Sequence, residues 1–380
     1  MLCRMRRLVC LDGLRGVLAC YVMLSHTLPF APLPAWLHWL FQHGGAGVDV
    51  FFILSGLVIV QSLASFSYQP LPFLIARVAR IYPVFLVVFV FAVAVQPLAT
   101  GFERMAWIAP DSPARDIWSS GWPSAWGIFI ATHLTMTHGM FPNGVLPDVW
   151  VGFLGAAWSL STEWQFYLLA LLFGSFLGLR RMAWLFLAMS AAAVVWQAAV
   201  PDTWQFSRAF LPNKAQYFAL GVVSAIVVRE GRTGWRAYLV VLAATLALCA
   251  VQGGIDKLLP PVVWTACLAA QVLPSSPRQR GPGLWVPAVA GMTAVVLQSR
   301  PLVWLGAVSY CIYLVNEPVQ KLLGVTLAML AQGDAALFTA LWIPGAIALP
   351  ILASWWLHTW VEVPAQRYGR GVALTTVSAE

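Results

Sequence analysis

The chain of 380 residues is 60% hydrophobic and only 9% charged, with a mean hydropathy of +0.78, which excludes an ordinary soluble protein of this length. Its formal net charge of +8 is not a nucleic-acid signal. The cations sit at the ends of apolar stretches (Arg4, Arg6, Arg7; Arg180, Arg181; Arg229, Arg232, Arg236; Arg278, Arg280), as the positive-inside rule expects of a membrane protein. Cys3, Cys10, Cys20, Cys249, Cys267 and Cys311 lie mostly in apolar runs with no CxxC or Cys/His spacing, so they read as small buried hydrophobes and not as disulfides or metal ligands.

Apolar stretches of about 20 residues match a hydrocarbon core about 30 Å thick. In chain order they predict spans over 12–30, 47–65, 79–97, 150–178, 182–200, 211–229, 236–252, 284–299, 302–324 and 335–357, with 125–140 and 258–274 ambiguous. The expectation is an all-α polytopic membrane protein of about ten transmembrane helices, residues 1–380 forming a single domain. The basic start resembles the n-region of a signal peptide, but no small-residue cleavage site follows. It reads as a retained first span with the N-terminus cytoplasmic, which places Arg77 and Arg80 on the cytoplasmic side. The 23 residues after the last predicted span leave no expected appended soluble domain.

Four polar constellations interrupt this apolar background. In the first span, Arg15 and His26 are eleven residues apart, roughly 16 Å along a helix and about 20° off one face. An ionisable residue at membrane depth is costly and points to function. Gly44-Gly-Ala-Gly47-Val-Asp49, running on to Ser55-Gly56, has glycines for close helix approach. Asp49 orients a neighbouring histidine or arginine, or serves packing. Arg77 and Arg80 form an i,i+3 pair suited to bidentate phosphate binding, with anchoring to lipid headgroups as the alternative. Ser159, Glu163 and Tyr167 fall at i, i+4 and i+8, a polar stripe on one helix face, which also suits a structural glutamate tying two helices together.

His38 and His43 lie in a Trp-rich segment and read as interfacial; His133 and His138 lie where one of them could line an acceptor cleft; His358 ends the last span. No HExxH, GxSxG, Walker loop or GxGxxG occurs, so metal and nucleotide-hydrolysis chemistry lack support.

Taken in order, Arg15-x10-His26 after Leu11-Asp-Gly-Leu14, Gly47-Val-Asp-Val-Phe-Phe-Ile-Leu-Ser-Gly56, Arg77-x-x-Arg80-x-Tyr82-Pro83 and Trp158-Ser-Leu-Ser-x-Glu163-x-x-Phe-Tyr167 resemble the membrane-bound acyltransferase-3 family. Leu305-Gly-x-x-Ser309-Tyr310-x-Ile-Tyr313-Leu and Glu362-x-Pro364 are similar to its C-terminal signatures. One departure stands out: where the family often has a histidine after Tyr-Leu-x, this chain has Asn316, then Glu317 and Pro318. Asn316 can still donate or accept hydrogen bonds.

The resemblance implies transfer of an acyl group, most often acetyl, from cytoplasmic acyl-coenzyme A to a hydroxyl of a carbohydrate. The acceptor would be a cell-envelope polysaccharide or lipid-linked glycan, and the location the inner (plasma) membrane. Acyl-CoA is then a co-substrate and no cofactor is tightly bound; the other expected partners are membrane lipids and not nucleic acid. His26 is the implied general base or nucleophile, and Glu163 the group that supports an imidazolium or binds sugar hydroxyls. Arg77, Arg80 and Arg15 are the coenzyme-binding residues, with Asp49, Ser159, Tyr167 and Asn316 in support. Small residues near His26, Ala19 and Cys20, would admit acyl groups longer than acetyl. The alternative class is a transporter or flippase, which also carries intramembrane His, Arg and Glu, though no repeated halves are seen.

Overall fold

A computed structural model describes residues 9–118, 121–272 and 295–379, with side chains described as far as residue 376. Among these residues the protein is a helical assembly whose only extended pairing is an isolated bridge, Pro142 with Phe206. The longer helices are α1 (Val9–Thr27), α2 (Gly44–Ser65), α3 (Pro70–Val95), α4 (Trp158–Gly174), α5 (Gly178–Ala199), α6 (Ala215–Glu230), α7 (Gly234–Gln252), α8 (Ile255–Val272), α9 (Arg300–Ala331), α10 (Ala335–Leu357) and α11 (Val363–Ala379).

Among the described residues, seven stretches are long and apolar enough to cross a membrane, and Ala215–Gln252 is one stretch that holds both α6 and α7. The chain is therefore a multi-pass membrane protein. Of the ten expected spans, 150–178 shortens to α4, because 149–151 and 155–157 are 3-10 turns. Its 17 residues cover about 26 Å. The expected span 284–299 falls mostly outside the described residues. The ambiguous 125–140 contains a helix of only nine residues, Trp126–Leu134, too short to cross.

Glycine contacts set the register of the bundle. In α1 and α9, the closest pair, a Cβ on Gly306 would stand 1.8 Å from the Asp12 carbonyl oxygen and one on Gly16 2.5 Å from that of Leu302. Near the far end of the same contact, Gln320 Nε2 donates to Thr27 Oγ1 at 2.8 Å. The two helices thus run parallel, held at both ends. Such backbone approach is the ordinary route to tight helix association where lipid tails remove the hydrophobic drive. The α2–α6 pair repeats the device, with Gly56 against the Phe218 carbonyl and Gly221 against that of Ile53.

These registers sort the helix ends onto two sides. The end of α1 meets the start of α2, where a Cβ on Gly44 would strike Ser25 Oγ, so α1 and α2 form an antiparallel hairpin. At the side where α2 ends, α3 begins and α6 ends, Arg180 meets Glu230 at 3.6 Å and Arg229, Arg232 and Arg236 follow along the chain. Arg15 and the start of α9 lie toward this basic side. His26, Asp49 and the start of α6 lie toward the other.

Because the α1–α9 contact admits no Cβ, Gly306→Ala should lower stability in detergent by about 1–3 kcal/mol through overpacking. Gly45→Ala, with nothing within 4 Å of the added carbon, should leave the thermal midpoint nearly unchanged. Equal midpoints for the two variants, measured side by side, would contradict the register described.

Candidate active site

Between α1, α2, α3, α4 and α9 lies a cavity of about 120 Å³. Arg15, Arg77 and Arg80 line it together with Ser55, Ser159, Glu163, Tyr167, Tyr310 and Tyr313, over an apolar wall that includes Val48, Phe51 and Phe52. The fold therefore gathers residues that are up to 298 positions apart in the chain. Three guanidiniums face one lining carboxylate.

Each arginine is held differently. Arg77 rises from the second turn of α3, donates to Ser62 Oγ at 2.8 Å and lies 5.7 Å over the Phe73 ring. Its Nε, like that of Arg15, is buried without a hydrogen-bond partner. Arg80 stands one turn further along α3. There Pro83 removes a backbone donor from the helix, and the Tyr310 hydroxyl donates to the Ile81 carbonyl at 2.8 Å, tying α3 to α9.

Glu163 anchors this cluster. Its Oε1 accepts a hydrogen bond from Ser55 Oγ and another from Tyr167 Oη, the latter at 2.5 Å. All three residues of the stripe expected on α4 line the cavity, and Ser159 gives its hydroxyl proton back to the Ala156 carbonyl at 3.2 Å. Glu163 keeps company with the arginines, and its hydrogen bonds among the described residues are not with His26. The expected direct support of an imidazolium at His26 is therefore absent from the resting structure. The cause is geometric: Arg15 and His26 share a face of α1 but stand at opposite ends of it, and Glu163 lies on the part of α4 that lines the cavity with the arginines.

His26 occupies the last turn of α1, half-buried, outside the lining of the cavity. Its Nδ1 is buried without a partner. Thr27 beside it is pinned three ways, by Gln320, by its own bond to the Met23 carbonyl at 2.9 Å, and by Trp342 Nε1 on its carbonyl at 2.8 Å. Asn316 lies next to the imidazole. Its Nδ2 is committed to the Ile312 and Tyr313 carbonyls, at 3.0 and 2.7 Å, and its Oδ1 is left without a partner. Arg208 is the charged group within electrostatic reach of His26, stacked 4.9 Å over Trp150 and 5.5 Å over Trp158. The carboxylate of Glu317 fills the space left by the missing side chain of Gly155.

Asp49 orients neither a histidine nor an arginine. It accepts both bonds from Lys214 Nζ, at 2.7 and 2.9 Å, in a pair that is 3% and 6% exposed. Lys214 escaped sequence reasoning, although a lysine at the head of the apolar run 214–228 carried the same signal as His26. Neither His133 nor His138 lines the cavity. Their rings stack 4.1 Å apart, fully buried, each giving one nitrogen to a backbone carbonyl. Burial pushes His138 down to about 4 and holds His133 low as well, so the pair is neutral. His43 pairs with Asp256, and His358 Nδ1 meets Glu362 Oε2 at 2.7 Å within a π-helical turn, His358–Glu362. The described cysteines are all free, and no cluster of metal-ligating residues occurs among the described residues. Ala19 is enclosed by Met23, Val308 and Ile312.

The site is thus an intramembrane cavity of three arginines and one carboxylate, with His26 outside its lining in the last turn of α1. Residues 8–359 match the acyltransferase domain of the acyltransferase-3 family, and the chain belongs to that family. It is similar to the acyltransferase MdmB of Streptomyces mycarofaciens, 29% identical over 96% of this chain and 93% of that protein. No solved structure matches the chain. The protein is therefore a membrane-bound O-acyltransferase.

The Asp49–Lys214 pair should behave as a structural element. Lys214→Met strands a buried carboxylate and should cost about 3–5 kcal/mol, whereas Asp49→Leu combined with Lys214→Met should recover most of the loss. Chemical denaturation in detergent checks this, and a double variant no more stable than the single one would refute it.

Proposed function

We propose that the protein transfers an acyl group, acetyl in the first instance, from acyl-coenzyme A to a hydroxyl of a carbohydrate acceptor, at the inner (plasma) membrane. The observation that carries the reading is the cavity with three arginines and one lining carboxylate. Arg77 and Arg80 hold the coenzyme phosphates, with Arg15 deeper in. The basic side of the bundle faces the cytoplasm, where acyl-CoA is made, in keeping with the positive-inside rule.

The separation of roughly 16 Å between Arg15 and His26 along α1 gives the coenzyme's pantetheine arm its task. Phosphates held at the arginines leave the thioester at the far end of the cavity, near His26. There the acceptor oxygen attacks the thioester carbonyl carbon, the C–S bond breaks, and coenzyme A leaves as the thiolate. His26 takes the hydroxyl proton as general base and returns it to the sulfur. Asn316 positions the imidazole. Indoles of Trp150 and Trp158 beside Arg208 supply an amphipathic wall of the kind a sugar ring packs upon.

Two measurements follow from the division of labour. His26→Ala should abolish turnover while leaving the thermal midpoint close to wild type, since no buried charge is stranded; well-expressed His26→Ala with near wild-type turnover would remove His26 from the mechanism. Arg80→Ala should weaken acyl-CoA binding by about 1–3 kcal/mol, and Arg80→Lys should restore only part, because the bidentate fork is lost. Titration calorimetry in detergent with coenzyme affinity unchanged in both variants would return these arginines to lipid anchoring.

A further inference from the structure

Tyr313 stands out because its hydroxyl has nothing to do in the resting protein. The side chain is 9% exposed, lines the cavity, and buries its Oη without a hydrogen-bond partner. Ser159 lies beside it, with its own proton given to the Ala156 carbonyl at 3.2 Å. A buried, unbonded O–H costs about 1–3 kcal/mol, so a hydroxyl kept in that state is a donor waiting for a ligand.

Its place in the site identifies the ligand atom. Tyr313 sits between the two halves of the site, within electrostatic reach of Glu163 on the arginine side and of Glu317 and Arg208 on the histidine side. Arg208 is the same residue that bears on His26. The Tyr313 backbone carbonyl accepts the Asn316 amide at 2.7 Å, and Asn316 lies against the His26 imidazole. The ring stands 6.4 Å from that of Phe51, and both line the cavity. On the proposed route from the arginines to His26, the thioester runs past Tyr313, the cavity-lining residue whose carbonyl holds Asn316.

We propose that the Tyr313 hydroxyl donates a hydrogen bond to the carbonyl oxygen of the bound thioester and to the oxyanion that this oxygen becomes when the acceptor adds. Negative charge develops there as the tetrahedral intermediate forms and collapses back to a carbonyl as the C–S bond breaks. A donor already fixed in a water-poor cavity stabilises that charge without reorganising. The phenol keeps its proton throughout, so the hydroxyl-to-sulfur proton transfer through His26 is unaltered. This assignment rests on the acyl-CoA reading above.

The test is the full-length protein in detergent with acyl-CoA and an acceptor, comparing wild type, Tyr313→Phe, and 3-fluorotyrosine introduced at position 313. Tyr313→Phe removes only an unbonded hydroxyl, so its thermal midpoint should equal or exceed that of wild type. Turnover should fall on the order of 100-fold, as for loss of one oxyanion donor, with the affinity for free coenzyme A unchanged. The fluorinated residue keeps the shape and makes the phenol a stronger donor, so it should retain turnover and change its rate. Wild-type turnover in Tyr313→Phe overturns the proposal, as does a loss matched by an equal loss of coenzyme affinity. Should the wild-type protein itself fail to consume acyl-CoA with any carbohydrate acceptor, the substrate reading falls and not the role of Tyr313 alone.

Discussion

The parallel contact between α1 and α9 governs the rest of the site. Gly16 and Gly306 let the two backbones touch at the arginine end, and Gln320 locks Thr27 at the histidine end. Between those points the helices cannot slide. That fixed register sets Asn316 beside His26 and Tyr313 in the cavity lining one turn before Asn316. In a bilayer, where apolar surfaces gain little by meeting each other, backbone approach of this kind and interhelical hydrogen bonds are the available means of holding helices in one arrangement.

Charge is distributed to the same plan. Lys214 and Asp49 neutralise each other in the core between α2 and α6, and Glu362 is occupied by His358, Gln366 and Cys311. The arginines of the cavity are left with donors unmade, Arg15 and Arg77 at Nε. Intramembrane cations pair with acids or carbonyls, face water, or mark a binding site. The structural ion pair and the binding cluster therefore differ not in burial but in whether the charges are already matched.

Much of this was legible in the sequence. The helical membrane class, the 1.5 Å rise that separates Arg15 from His26, the RxxR pair and the Glu163–Tyr167 stripe follow from composition and local periodicity. The partners did not follow. That Asp49 binds Lys214, that Glu163 is bonded by Ser55 and sits with arginines, and that His133 and His138 stack as a neutral pair depend on contacts between helices distant in the chain, which no local period encodes. The expected span over 150–178 shortens for a related reason: its first residues form 3-10 turns, with Gly155 against the Glu317 carboxylate, and the helix begins only at Trp158. Lys214 was within reach of sequence reasoning, since a lysine at the head of an apolar run is as informative as a histidine.

The account stands on the arginine cavity as the seat of the coenzyme phosphates, with the thioester directed toward His26. Electron cryomicroscopy of the protein with a non-hydrolysable acyl-CoA analogue tests that arrangement most directly. The account predicts phosphate density against the guanidiniums of Arg77 and Arg80, and the acyl carbonyl beside Tyr313. Phosphates bound elsewhere, or an acyl group pointing away from His26, would contradict it.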